Sequence, residues 1–186
     1  EPPTPKKEST DQRSGGSSHF NRFKRTITAK TPKFEGRCSE LTGHIYNCTD
    51  DRQVDDYTRT TKEIAEYVGR TYRYGDDIRL AIENMVDTTS SIPADPTSSA
   101  TQTETRIWEK TVNEYVKRLT WYNSNMRTLY SLLWGQCTEI MRTKLEATTD
   151  FKTVISMKAN SLELLKNIKA IIFNFQSERY VPQSIH

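Results

Sequence analysis

The run ETRIWEKTVNEYVKRLTWYNSNMRTLYSLLWGQCTEIMRTKL, Glu104 to Leu145, holds all three tryptophans of the chain, Trp108, Trp121 and Trp134. Its apolar side chains recur at Ile107/Trp108, Val112, Tyr115/Val116, Leu119, Tyr122, Met126, Leu129 and Leu132/Leu133. Steps of three and four residues place such a set along one stripe of an α-helix. Few globular helices run so far, because three or four turns of about 3.6 residues each are usual. The stretch therefore predicts an all-α fold, one or more helical bundles organised on a single long central helix.

Local signals frame that helix. Thr101 and Glu104 have the spacing of a capping box, in which each side chain satisfies an orphan backbone amide of the other residue. Gly135 predicts the break, since glycine inside a helix costs roughly 1 kcal/mol relative to alanine. Cys137, Ile140, Met141 and Leu145 then restart the stripe on a shorter helix.

Upstream, Val54, Tyr57, Thr61, Ile64/Ala65, Val68 and Tyr72 form one helical face, with Asp50 and Gln53 in a capping relation before it. Asp55, Arg59, Lys62, Glu66 and Arg70 make the opposite, solvated face. After Gly75, Asp76 or Asp77 is positioned to cap a second helix carrying Ile78, Ile82, Met85 and Val86. Downstream, Phe151, Val154 and Ile155 suggest a short helix. Asn160 with Glu163 opens a last one, whose face is Leu162, Leu165, Ile168, Ile172 and Phe175, and Pro182 stops it.

Composition divides the chain further. Of 186 residues 34% are hydrophobic and 27% charged, little apolar material for one compact globule. The net charge of +3 is uneven: residues 1–37 hold nine Lys/Arg against four Asp/Glu, net +5, and the remainder holds 18 against 20, net −2. Residues 1–31, rich in Pro, Ser, Gly, Thr and Lys and without periodicity, read as a disordered basic arm. Residues 32–87 read as a loop plus a helical pair, 88–103 as a linker, 104–180 as a C-terminal helical domain and 181–186 as a tail. Between Thr88 and Thr105 ten of 18 residues are Ser or Thr, which supports the linker. Because the chain begins at Glu1, a longer reading frame is expected.

Candidate chemistry is sparse. In the arm, Arg22, Phe23, Lys24 and Arg25, with Lys30 and Lys33 after them, interleave cations with an aromatic ring. Cations track a phosphate backbone and rings stack on unpaired bases, so this is the candidate nucleic-acid segment; a bland solvated tail has the same composition. Cys38, His44 and Cys48 resemble a zinc set only superficially, because their spacing matches no compact finger and a fourth ligand is missing; they read as structural, with no metal. Cys137 reads as a small core residue. No glycine-rich phosphate loop, H-E-x-x-H, nucleophile elbow or aspartic-protease signature is present, and the three histidines, His19, His44 and His186, share no face with a nucleophile. No enzyme, cofactor or small-molecule substrate is expected. No apolar run approaches the roughly 20 residues that span a bilayer, and three cysteines describe no disulfide framework, so a cytoplasmic setting is expected. Trp121 and Tyr122, adjacent and so about 100° apart on a helix, cannot both face one core. Trp108, Trp121, Tyr122 and Trp134 are therefore the candidate self-association residues.

Several phrases together resemble a known family. Lys33-Phe34-Glu35-Gly36, Gly43-His44-Ile45-Tyr46, the run from Thr60 to Gly69, the run from Leu129 to Cys137 and Phe173-Asn174-Phe175-Gln176-Ser177 look like the Gag-like, capsid-type region of copia-type LTR retrotransposon polyproteins. The resemblance covers roughly Pro32 to His186. It implies a helical structural protein that self-assembles into a virus-like particle around RNA, the partners being further copies of itself and RNA. The family's zinc knuckle, C-x2-C-x4-H-x4-C, is absent from this chain. A helical protein–protein interaction module that forms no particle is the alternative. A sequence-specific nucleic-acid-binding domain ranks below it, because its recognition helix would be basic whereas the body is net −2.

Overall fold

A computed structural model describes residues 33–89, 91–149 and 151–179, with side chains to Asn174. The basic arm assigned to residues 1–31, the ring of Phe175, the stop at Pro182 and the tail lie outside the described residues. The fold is all-α. A 3₁₀ turn at Ser39–Leu41 precedes α1 (Gln53–Thr71), α2 (Gly75–Asn84), α3 (Gln102–Gln136), α4 (Glu139–Glu146), a π-type turn at Phe151–Ser156 and α5 (Ser161–Arg179). Extended pairing among the described residues is confined to a single parallel bridge, Tyr46 with Cys137.

The long helix forms as its periodicity predicts, and its capping box is complete: the Thr101 hydroxyl accepts from the Glu104 amide and the Glu104 carboxylate accepts from the Thr101 amide at 2.7 Å. Its end lies later than Gly135. Helix geometry continues through Gln136, whose side-chain amide is held by the loop from Gly36 to His44, and the Arg37 side chain packs on the buried Gly135. The chain then turns extended at Cys137, where Tyr46 N donates to Gln136 O at 2.9 Å and Thr138 N donates to Tyr46 O at 3.1 Å.

Two other capping expectations are corrected. Asp50 does not cap α1 through its side chain: the N-cap is Arg52 without a side-chain bond, and Gln53 instead donates Nε2 to the Ile172 carbonyl of α5 at 2.8 Å. Neither Asp76 nor Asp77 caps α2, which starts after Tyr74 in a left-handed conformation, φ 55°, and keeps both aspartates in its first turn. Gly75 is required there, since a Cβ would strike the carbonyl oxygens of Val68 and Gly69. The Asn160 cap forms, its Oδ1 accepting from Glu163 N at 3.2 Å.

One core runs through the described residues. Tyr57, Ile64 and Val68 of α1 meet Ile78 and Ile82 of α2, Leu129 and Leu133 of α3, Met141 and Leu145 of α4, and Leu164, Leu165, Ile168 and Ile172 of α5. The helical pair before the Ser/Thr-rich segment and the helices after it thus belong to one compact unit, in place of the separate segments that a linker between them suggested. Val86 is an exception to its expected face and lies 53% exposed beyond α2.

The hinge of this arrangement is Gln136. Its amide is fully buried and makes four hydrogen bonds: Oε1 accepts from the Arg37 and Cys38 amides at 2.9 and 3.1 Å, and Nε2 donates to the Leu41 and His44 carbonyls at 3.0 and 2.7 Å. All of its donor and acceptor capacity toward this loop is used, so the segment from Gly36 to His44 is fixed to the end of α3. Gly36, at φ 96°, is needed because any side chain would collide with that amide.

Candidate self-association surface

Burial along α3 changes abruptly at Tyr122. No residue before it is buried, whereas Tyr122, Asn125, Leu129 and Leu133 after it are. The first half of the helix therefore stands outside the core with its stripe of Trp108, Val112, Tyr115 and Leu119 half-buried.

A second, polar row on α3 attaches this half to the joint between α1 and α2. Glu114, Arg118, Trp121 and Asn125 step by four, three and four residues, so they share one flank of the helix. Glu114 accepts from the Tyr74 hydroxyl at 2.6 Å, Arg118 forms a two-bond ion pair with Asp77, and Asn125 Nδ2 donates to the Arg73 carbonyl at 2.7 Å. The bond to Glu114 raises the Tyr74 phenol pKa, and Asp77 keeps Arg118 charged to still higher pH.

Between these anchors the Arg73 guanidinium lies 5.1 Å from the centre of the Trp121 ring and 5.6 Å from that of Tyr74, and Arg118 lies 5.9 Å from Tyr74 on the same ring. Cation–π contacts of this kind hold an aromatic ring in one orientation. Trp121 remains 39% exposed. The result is a preorganised patch of Trp, Tyr and Arg, the residue types that dominate protein–protein contact energies.

The other three candidates are placed differently. Tyr122 is only 4% exposed and its hydroxyl accepts from the Thr88 amide at 3.4 Å, so it serves the core. Trp134 stacks on Phe151 with centroids 5.4 Å apart and beneath Arg142, whose guanidinium also donates to the Trp134 carbonyl. Trp108 is half-buried with its indole N–H shut away from any acceptor. Of the four, Trp121 presents an aromatic surface in a defined setting. Arg73, Tyr74 and Arg118, which complete the patch, leave no mark in apolar periodicity; the 4-3-4 spacing of polar residues on α3 is the one signal pointing to them.

Of the nucleic-acid candidates, Lys33 is exposed, and Arg22, Phe23, Lys24, Arg25 and Lys30 lie outside the described residues. Cys38 donates its thiol to Glu40 at 3.3 Å while Cys48 is buried, and among the described residues no three His, Cys, Asp or Glu side chains are grouped to hold a metal ion. Burial pushes the Cys137 thiol up to about 12. Among the described residues no helix is long and apolar enough to cross a membrane. Comparison with family models, with curated proteins and with solved structures finds no match to this chain.

Proposed function

We propose that this chain is a Gag-like structural protein that works by self-association, with RNA held by its basic N-terminal segment and without catalysis. The observation that carries the reading is the Trp121 patch. A surface tryptophan held by the Arg73 guanidinium, which also lies over Tyr74 as Arg118 does, is ready to dock against protein at little entropic cost. Two carboxylates, Asp77 and Glu114, lie inside the same cluster and offset its arginines, which favours a protein partner over a polyanion there. Association with RNA rests on the +5 of residues 1–37 and the family resemblance. A particle forms from many weak contacts acting together, so each contact is small by itself.

The test is size-exclusion chromatography with light scattering over a concentration series, with and without single-stranded RNA, on the wild type, Trp121→Ala and Arg73→Ala. Concentration-dependent growth that RNA promotes, and that Trp121→Ala suppresses with helicity unchanged, supports the reading. A wild type that stays monomeric throughout overturns it and leaves a module for a different protein partner, the same patch serving as its docking point.

A further inference from the structure

The stripe of α3 has a strict heptad pattern: Trp108, Tyr115, Tyr122 and Leu129 occupy one seam position and Val112, Leu119, Met126 and Leu133 the other. Alternate steps of four and three residues are the requirement for knobs-into-holes packing between helices. In the second half of α3 the seam is filled, with Tyr122, Leu129 and Leu133 in the core, Met126 packed against it, and α5 alongside. In the first half α2 touches its edge, with Asp77 beside Tyr115 and Leu119, and the segment between α2 and α3 passes there, so the four seam side chains are half-buried. An open cleft of about 520 Å³ remains, lined by Ser91, Pro93, Lys110, Thr111, Glu114, Tyr115 and Arg118. Its described hydrogen bonds to the helical body are made by Thr88, at its beginning, to Tyr122 and Asp77. It offers the buried Trp108 indole N–H no acceptor. At the margins of the stripe Ile107 and Val116 stand 60% and 52% exposed.

We propose that this half-seam, covered in the single copy only by the connecting segment and the edge of α2, pairs with the same half-seam of a second copy, antiparallel, about a two-fold axis between Val112 and Tyr115. The proposal rests on the self-association reading above and adds a second kind of contact to it. The occupant follows from the side chains. In this half one seam position is aromatic, Trp108 and Tyr115, and the other aliphatic, Val112 and Leu119. An antiparallel pair sets the two positions opposite each other, so Trp108 meets Leu119 of the second copy and Val112 meets its Tyr115. Every layer then has one large and one smaller side chain, which fills the seam evenly. A parallel pair would stack Trp108 on Trp108 and Tyr115 on Tyr115, and would set Glu104 beside Glu109 of the other helix on the seam's edge. The antiparallel arrangement separates these two carboxylates and sets Glu104 level with the neutral Asn123 of the other helix. The connecting segment moves off the cleft to admit the second helix.

Four layers cover about 17 Å of helix. That is below the roughly 1,200 Å² of a stable standard interface, so the dimer is weak and its contribution comes through repetition. A two-fold contact closes on itself, and a shell needs a different contact to continue it, which the Trp121 patch supplies.

The test uses the full chain with Cys38→Ser, which removes the half-exposed thiol and leaves Cys48 and Cys137 buried. Val112→Cys protein, isotopically labelled, is mixed with unlabelled Tyr115→Cys protein and oxidised with diamide, and the disulfide species are counted by mass spectrometry. The expected result is a mixed 112–115 disulfide at least about tenfold above either like pair, where random collision gives only twofold; Thr128→Cys, on an exposed position of α3, is the collision control. Sedimentation of Val112→Glu, with helicity verified, is the second measurement, and the dimer dissociation constant should rise at least about tenfold. Like pairs in excess, or mixed pairs at the control level, overturn the proposal. Particles that still form without 112–115 cross-links sink the seam alone; cross-links in a protein that never exceeds a dimer sink the shell reading and keep the seam.

Discussion

Replacing Gln136 by alanine should destabilise this protein more than any other single polar truncation in the body. The change removes four hydrogen bonds and strands the Arg37 and Cys38 amides and the His44 carbonyl, while the Leu41 carbonyl keeps the His44 amide at 3.0 Å. A net hydrogen bond contributes about 1 kcal/mol, and a stranded buried group costs about 1–3 kcal/mol. The site facing Leu41 is buried and the other three are part-buried, so those three regain some water. The expected loss is therefore about 2–4 kcal/mol, a large share of a typical 5–15 kcal/mol total. For a unit of this size, that lowers Tm by very roughly 5–15 °C. Urea unfolding followed by tryptophan fluorescence and circular dichroism measures it. Gln136→Glu sharpens the test: the introduced carboxylate still accepts from Arg37 and Cys38 but faces two carbonyl oxygens with no proton to give. Its folded-state pKa is raised, so its stability should be greatest at low pH and decline as pH rises. Loss of less than about 0.5 kcal/mol in Gln136→Ala would show that the loop from Gly36 to His44 is not held by this amide.

Thr101→Ala removes the capping box, worth about 1 kcal/mol locally; because the first half of α3 contributes no buried residue, hydrogen exchange should quicken over its first turns while the urea midpoint moves little. Fast exchange already present in the wild type would contradict this. Trp108→Phe keeps most of the ring contact and discards an indole N–H without an acceptor, so thermal stability should hold or rise by up to about 1 kcal/mol, and a loss above that would mean the N–H is satisfied. Alkaline pH should destabilise the fold. Burial raises the Cys137 thiol and the Tyr57 and Tyr72 phenols to about 12, and Tyr46 well above its ordinary value. Below about pH 7.5 these groups are protonated in both states. Above it the unfolded chain releases their protons first, so stability falls as pH rises toward 12; a flat urea midpoint from pH 8 to 11 would refute it.

Much of the helix content was legible because it depends on residues within four positions of one another. The stripe from Trp108 to Leu133, the Thr101–Glu104 cap and the Asn160 cap are all of this kind, and all form. Where local signals failed, a distant partner had taken the group concerned. Gln53 does not complete a cap, because its amide reaches a carbonyl 119 residues away, on α5. Gly135 does not break α3: the helix runs on to Gln136, whose amide is held by the loop from Gly36 to His44, and Arg37 packs over the glycine.

The candidate surface was legible only in part. Periodicity is the same in both halves of α3, so the sequence determined that an apolar seam exists and not which part of it the fold would fill. That was decided by α5 and by the core beneath Tyr122, Leu129 and Leu133. Arg73, Tyr74, Arg118 and Trp121 come from separate helices and a turn, and their grouping depends on how α1 and α2 dock on α3. Propensity and capping act between near neighbours along the chain and so can be read from their order. The docking of helices is set by burial and hydrogen bonding between residues far apart in sequence, such as the 52 positions between Arg73 and Asn125, and only the tertiary structure decides it.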